Sequence, residues 1–320
     1  MGYDYYTCDK EESDMKYYAG IDIGGTNIKT GIVDEAGNII SEHSIPTGAD
    51  RPQEVVLQDI IYSVKESITK ANVTPSAVGM GSPGLIDSKN GFVIYNNNLN
   101  WNNFAIGPAM TEALGVPAVL ENDADAAALG EVVAGCAEGA RSAMIITLGT
   151  GVGSGYVVDG RIVRGCEFGH MVIHHGGRKC TCGRSGCFEA YCSATGLINM
   201  TKEAIAENPG GIMAKIADIE GTVSGHTVFD AAQEGDENAV NVIDTYTEYL
   251  ACGLANLVNG LQPEVIGIGG GIGKQGERLL APLRSKVQRE IYKGLALPRI
   301  VSCTLGYKAG LIGAAMAAKV

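Results

Sequence analysis

Charge is scarce in this chain. Only 19% of its 320 residues are Asp, Glu, Lys or Arg, and the balance is acidic, with a net charge of −12 and a pI near 4.9. No Lys/Arg cluster is long enough to follow a phosphate backbone, which argues against a nucleic-acid partner. No apolar run approaches the ~18 residues of a membrane span, so no membrane partner is expected. The first sixteen residues are acidic and Tyr-rich rather than apolar, so they make no signal peptide and read as a disordered tail over 1–16. A P-loop of the Gly-x₄-Gly-Lys-Ser/Thr type is also missing, so any bound nucleotide must be held by another device. Nine cysteines is an odd number, and Cys8, Cys136, Cys166, Cys192, Cys252 and Cys303 are spread without pairing logic. A reducing, cytoplasmic compartment with zinc fits this better than a disulfide framework. Trp101 is the single Trp; in an Asn-rich loop it suits either a ligand wall or the core.

Apolar residues make up 45% of the chain, and there are 45 glycines. The length and apolar content allow two domains of ordinary size. Tyr17–Ile23, Ile28–Val33 and Asn38–Ser44 read as three consecutive antiparallel strands, with a turn at Asp34-Glu35-Ala36-Gly37. Helical spacing follows over Pro52–Ala71, then a buried strand over Ala77–Ser82. A helix is expected over Phe104–Leu114, a strand over Ala118–Leu120, and a helix from Asp123 to Ala137. The opening then recurs: a strand over Ala143–Leu148, an apolar strand over Tyr156–Val158, a turn at Asp159-Gly160, and a strand over Arg161–Val163. Asp34 then falls on Asp159, Asp22 on Thr147 and Gly24 on Gly149, a shared offset of 125 residues. Two copies of one α/β unit are expected, with a ligand cleft between them. Val223–Leu261 reads as largely helical, Glu264–Ile268 and Ile300–Leu305 as strands, and Lys308–Val320 as a terminal helix.

Each hairpin places glycines where an anion can approach. Gly24 and Gly25 have no Cβ to shield their N–H groups, and Thr26, Asn27 and Lys29 add donors. Gly149, Thr150 and Gly151 offer the same in the second copy. A carboxylate at Asp22, beside a phosphate site, calls for Mg²⁺, held through water. Gly269, Gly270 and Gly271 close an apolar strand and suit the approach of an adenine and its ribose. The run Gly271 to Gly276 also fits a dinucleotide fingerprint literally, which would make the chain an oxidoreductase. The paired hairpins explain more of the sequence. A distinct cluster, His170, Cys180, Cys182 and Cys187, supplies imidazole and thiolates at the spacing of a closed tetrahedral Zn²⁺ site. His174 and His175 compete with His170 as its fourth ligand. Glu121-Asn122-Asp123 stands where a strand meets a helix, a frequent place for functional side chains in α/β folds. A carboxylate there can take the proton of a hydroxyl nucleophile. Asp123 is the candidate base, with Asp125 close enough to be confused with it.

Four motifs converge: Asp22-Ile23-Gly24-Gly25-Thr26, Glu121-Asn122-Asp123-Ala124, the run from Leu148 to His170, and Cys180-x-Cys182-Gly-x-x-Gly-Cys187-x-Glu189. On these the chain resembles the ROK sugar kinases of the actin/hexokinase-like ATPase group, over Tyr17 to Val320, and its glucokinases most. The resemblance implies an α/β fold of duplicated actin/hexokinase-like (ribonuclease H-like) domains, each a mixed sheet flanked by helices around an interdomain cleft. It implies a smaller lobe of 17–121 plus 306–320 and a larger lobe of 122–305 that carries the zinc loop 170–189. It implies ATP-dependent phosphorylation of a hexose, with ATP, Mg²⁺ and a structural Zn²⁺ as cofactors. Glucose is the first acceptor; N-acetylmannosamine, N-acetylglucosamine, allose and fructose stay open, as does a non-catalytic sugar-sensing regulator. Such regulators carry a DNA-binding segment ahead of the sugar domain, for which the sixteen leading residues are too few. By the same resemblance, Asp123 is the base. Gly84, Asn98, Asn122, Glu167, His170 and Glu189 contact the sugar, although Asn96 and Asn97 compete with Asn98. Thr147 joins the nucleotide set, and the assembly is a homodimer or homotetramer.

Overall fold

The computed structural model describes residues 15–96 and 99–319. The expected tail over 1–16 therefore lies outside the described residues, save Met15 and Lys16. Asn97 and Asn98 lie outside them too.

The first half runs β1 (Tyr17–Ile23), β2 (Asn27–Asp34), β3 (Ile39–Pro46), α1 (Gln53–Ala71), β4 (Ala77–Ser82), β5 (Leu85–Asp87), β6 (Phe92–Asn96), β7 (Trp101–Phe104), α2 (Ile106–Leu114) and β8 (Ala118–Asn122). Then follow α3 (Asp123–Ala134), β9 (Ser142–Leu148), β10 (Val152–Val158), β11 (Arg161–Ile162), α4 (Phe188–Cys192), α5 (Ala194–Glu207), α6 (Ile212–Glu220), α7 (Thr227–Gln233) and α8 (Glu237–Leu261). The chain closes with β12 (Val265–Gly269), α9 (Gly270–Gly273), α10 (Glu277–Glu290), β13 (Arg299–Ser302) and α11 (Lys308–Ala317). Among the described residues, no helix is long and apolar enough to cross a membrane.

The duplication is visible in the sheets. One is ordered β3-β2-β1-β4-β8 and the other β11-β10-β9-β12-β13. In both, the first three strands are antiparallel and the last two run parallel to the central one. β1 and β9 begin at Tyr17 and Ser142, which preserves the 125-residue offset of the repeat. The two equivalent turns are made differently. Asp34 Oδ1 accepts from Ala36 N and Asn38 N at 2.9 Å each, an Asx turn. Asp159 and Gly160 instead both have positive φ (47° and 72°), the backbone of a two-residue type I′ hairpin.

Some boundaries and elements differ from the sequence reading. Phe104 ends a strand, and the helix expected from it starts at Ile106, with Pro108 in the first turn where no N–H partner is needed. The helix from Asp123 stops at Ala134, short of Ala137, as Gly135 leaves the helical region. A third sheet, β5-β6-β7, covers a stretch where local pattern predicts no strand, only a loop around Trp101. Its Trp101 is 1% exposed and packs edge-on against Phe104 at 5.1 Å, so the indole belongs to the core and not to a ligand wall.

Three cores result. One lies between the first sheet and α1, α2 and the third sheet. Another lies between the second sheet and α4, α5, α7, α8 and α10. The third joins the halves: α3 and α11 lie together between the sheets, burying Ala128, Leu129, Leu311, Ile312 and Ala315 with Tyr18 and Val33 on one side and Ala143 and Val157 on the other. Gly313 makes this approach possible, because any Cβ there would overlap the Ala126 carbonyl. Gly313→Ala is expected to destabilise the protein by about 1–3 kcal/mol or more, as overpacking against backbone does. Gly210→Ala, which meets nothing within 4 Å, is expected to stay within about 0.5 kcal/mol. Urea unfolding of the two variants checks the contrast.

Candidate functional site

The chain passes between the sheets twice, from β8 into α3 at Asn122–Asp123 and from β13 to α11 over 303–307. Two clefts open beside these crossings. The first, about 740 Å³, is lined by Gly84, Asn122, Asp123, Asp125, Gly151, Arg164, Glu167, His170 and Glu189, among others. The second, about 700 Å³, is lined by Glu131, Thr147, Gly269, Gly270, Gly271, Lys274, Cys303 and Tyr307, among others.

Asn122 caps α3. Its Oδ1 accepts from Ala124 N at 2.9 Å and Asp125 N at 3.4 Å, which leaves its amide nitrogen for a ligand. Asp123 is then the first residue of the helix, and its Oδ1 accepts from Ala124 N at 2.9 Å. Burial pushes the Asp123 carboxyl above the usual range despite these backbone bonds, and Glu167 adds to the push. Asp22 is raised to about 6, chiefly by burial, partly offset by Lys29 and reinforced by Asp123. Asp125 is raised further, to about 7, by burial and then by Glu121 and Glu167, with Arg164 opposing. Glu121 lies behind the cleft with its side chain 2% exposed. Arg164 holds it through Nε, 3.2 and 3.0 Å from its two oxygens, and through Nη2; Ser88 Oγ donates at 3.2 Å.

Glu167 and His170 share one 3₁₀ turn, in which His170 N donates to the Glu167 carbonyl at 3.0 Å. Glu189, in the first turn of α4, accepts from Val152 N at 3.0 Å and from Thr181 Oγ1 at 3.2 Å. The same loop gathers His170, Cys180, Cys182 and Cys187, whose ligand atoms all lie within 4.8 Å of one another. Cys182 and Cys187 sulfurs are 3.6 Å apart, and Cys180 Sγ is 3.8 Å from His170 Nδ1. These spacings match a tetrahedron edge of about 3.7 Å for Zn–S bonds of about 2.3 Å. His174 is elsewhere, stacked on Tyr191 at 5.8 Å and 9°. Neither it nor His175 joins the cluster, so His170 is the histidine of the set.

The hairpins are braced from behind. Thr47 Oγ1 donates to the Gly24 carbonyl at 2.6 Å, Ala194 N to the Gly149 carbonyl at 2.7 Å, and Thr195 Oγ1 to the Thr150 carbonyl at 2.9 Å. No backbone acceptor in the described residues takes the N–H of Gly25, Thr26 or Thr150. Thr26 and Asn27 are exposed at the first tip. Gly151 faces the first cleft and Thr147 the second. Lys29 lines neither; its Nζ sits 4.4 Å over the Tyr307 ring, in a pocket shared with Lys70 and Lys308. Arg164 and Ser88 carry no sequence signal of a site, and Asp125, read only as a rival to Asp123 for the base, lines the same cleft. Arg164 meets Glu121 across 43 positions, a pairing with no local signal.

The ROK family pattern matches residues 18–320. The chain belongs to the ROK family. Its relatives in that family include a glucokinase of Halalkalibacterium halodurans, 36% identical over 313 residues, with 93% of each chain covered. Among solved structures, a ROK hexokinase from Thermus thermophilus superposes with a TM-score of 0.82 at 31% identity, covering 95% of this chain and 98% of the other. A ROK glucokinase from Streptomyces griseus, in complex with glucose and AMPPNP, superposes with a TM-score of 0.76 at 32% identity, covering 95% and 99%. The mixed sheets flanked by helices are thus those of a ROK fold.

Removing Arg164 would leave a buried carboxylate with a single hydroxyl donor. Arg164→Ala is expected to cost about 1–3 kcal/mol, the range for an unsatisfied buried polar group, read from urea unfolding.

Proposed function

We propose that this protein transfers the terminal phosphoryl group of ATP to a hexose, glucose first among acceptors, with Asp123 as the general base. The observation that carries this is Asp123 itself: a half-buried carboxyl at the start of α3, on the wall of one cleft and close enough to Asp22 to raise its pKa. Support comes also from the ROK relatives named as glucokinases and from the related enzyme solved with glucose and AMPPNP.

In this reading the hexose occupies the first cleft. Gly84, Asn122, Glu167, His170 and Glu189 hold its hydroxyls, together with Asn98, whose placement lies outside the described residues. The adenine and ribose lie against Gly269–Gly271 and Thr147, and the N–H groups of the two hairpins receive the phosphates. Mg²⁺, held near Asp22 through water, would supply charge neutralisation at the phosphates. Asp123 accepts the proton of the acceptor hydroxyl as its oxygen bonds to phosphorus. Its place at a helix N-terminus favours the ionised form that this requires. A non-catalytic sugar sensor has no use for a base at that position.

The Cys₃His set suits a structural Zn²⁺, whose chemistry would be to close the loop between His170 and Glu189. Two of the proposed sugar contacts would then be placed by the metal, one as a ligand and one two residues beyond Cys187. The reading keeps the smaller lobe at 17–121 plus 306–320 and the larger at 122–305, with an assembly of two or four copies.

Asp123→Asn is expected to lower kcat by about 10²–10⁴ with little change in glucose binding, measured by coupled ADP production and calorimetry. Undiminished turnover would overturn the assignment. Cys182→Ser is expected to lose bound zinc by elemental analysis and to weaken glucose binding. Full affinity in a metal-free protein would remove the metal from the argument.

A further inference from the structure

Asp125 has no role in the reading above, yet it is the least comfortable side chain of the cleft. It is 7% exposed and lines the cleft, and among the described residues its Oδ1 has no hydrogen-bond partner. Buried oxygens without a partner are rare, and each calls for a missing ligand, water or proton. The groups around it are mostly of one sign. Glu121 faces it from β8, Asp123 from its own helix, and Arg164, Cys166 and Glu167 from the segment after β11. β10 packs beneath it with Gly155, which carries no charge. Asp87 and Lys89 stand on the lip of the same cleft.

Four carboxyls therefore share this space with one guanidinium, and that guanidinium is already taken. Arg164 gives both Nε and Nη2 to Glu121, so its hydrogen-bonding fork is engaged there. Asp123 has a backbone donor on Oδ1. Asp125 Oδ1 has no donor, and the cation that faces it, Arg164, is committed to Glu121. Like charges at this proximity cannot all ionise, and the proton settles where the anion is least supported.

We propose that Asp125 is the carboxyl that keeps its proton in the resting cleft, a neutral acid that donates a hydrogen bond to the bound hexose and leaves Asp123 free to stand ionised. This rests on the hexose-kinase reading and adds a binding and positioning residue to it. The raised titration of Asp125, near 7, agrees with the assignment. Below that pH the acid is neutral and donates. As pH rises through it, the donor is lost and a further negative charge faces the incoming phosphate. The KM for hexose then increases, by roughly five- to tenfold for one hydrogen bond.

Asp125→Asn substitutes a permanently neutral group of the same shape that still donates. With the wild type, the hexose KM is expected to climb between pH 6 and 8.5; with Asp125→Asn it is expected to stay flat over that range. A climb of equal size in the variant overturns the proposal. Carbon-13 NMR of protein labelled at Asp carboxyls gives a readout that needs no turnover. The Asp carboxyl titrating near 7, above that of Asp22 at about 6, is expected to vanish in Asp125→Asn while the Asp22 signal stays; persistence of the higher signal overturns the proposal. If the wild type phosphorylates no hexose at all, the kinase reading fails and the NMR result still decides where the proton sits. If the variant does not fold, the wild-type signal decides: movement on adding glucose supports the donor, and no movement overturns it.

Discussion

Two helices of small residues, α3 and α11, meet backbone to backbone between the two sheets, and most of the molecule is arranged around that contact. Ala126, Gly130, Gly313 and Ala309 bring the helix axes closer than larger side chains would permit. The start of α3 then projects Asp123 into one cleft, while Tyr307 and Ala309, at the start of α11, help to line the other. Glu131 fastens the pair from inside. It is 1% exposed and accepts from Leu305 N at 2.9 Å, Thr304 N at 3.2 Å and Cys136 N at 2.9 Å. A single buried carboxylate thus ties the return crossing of the chain to the helix made by the outward one. Removing either partner from such a bond leaves the other unsatisfied, which costs more than the bond's net worth.

The clefts differ in what they offer. The second cleft is walled largely by glycines and other small residues, with Glu131, Lys274 and Tyr307 among them. The first cleft is rich in carboxyls, and its electrostatics are managed residue by residue. Arg164 neutralises Glu121, a helix terminus supports Asp123, and Glu189 is held by a backbone amide and a threonine. Polyol recognition benefits from this, because hydroxyls need acceptors at fixed angles more than they need apolar contact.

Much of the fold was legible from periodicity. The first three strands, the helix over Pro52–Ala71 and the repeat at an offset of 125 residues all rest on local pattern, and the two sheets share one topology. The zinc-type cluster was legible because its four residues fall within eighteen positions of one another. The third sheet was not, since β5 and β7 are three and four residues long and carry little alternation. Lys29 pairs across the strands with Asp22, and its Nζ sits 4.4 Å over the Tyr307 ring, a placement that hairpin spacing alone does not record. Arg164 acquires meaning only through a partner brought in by tertiary structure, which no spacing rule records.

The burial of Trp101 bears on how this molecule can be observed. The sole indole is enclosed with Phe104 and Leu99 in the core beneath the first sheet, far in sequence from the larger core around α8. Tryptophan emission is therefore a spectroscopic label that nature has placed on one half alone. Loss of order around α8 would pass unseen by fluorescence while circular dichroism recorded it, and a gap between the two transitions would measure how tightly the central helix pair couples the halves.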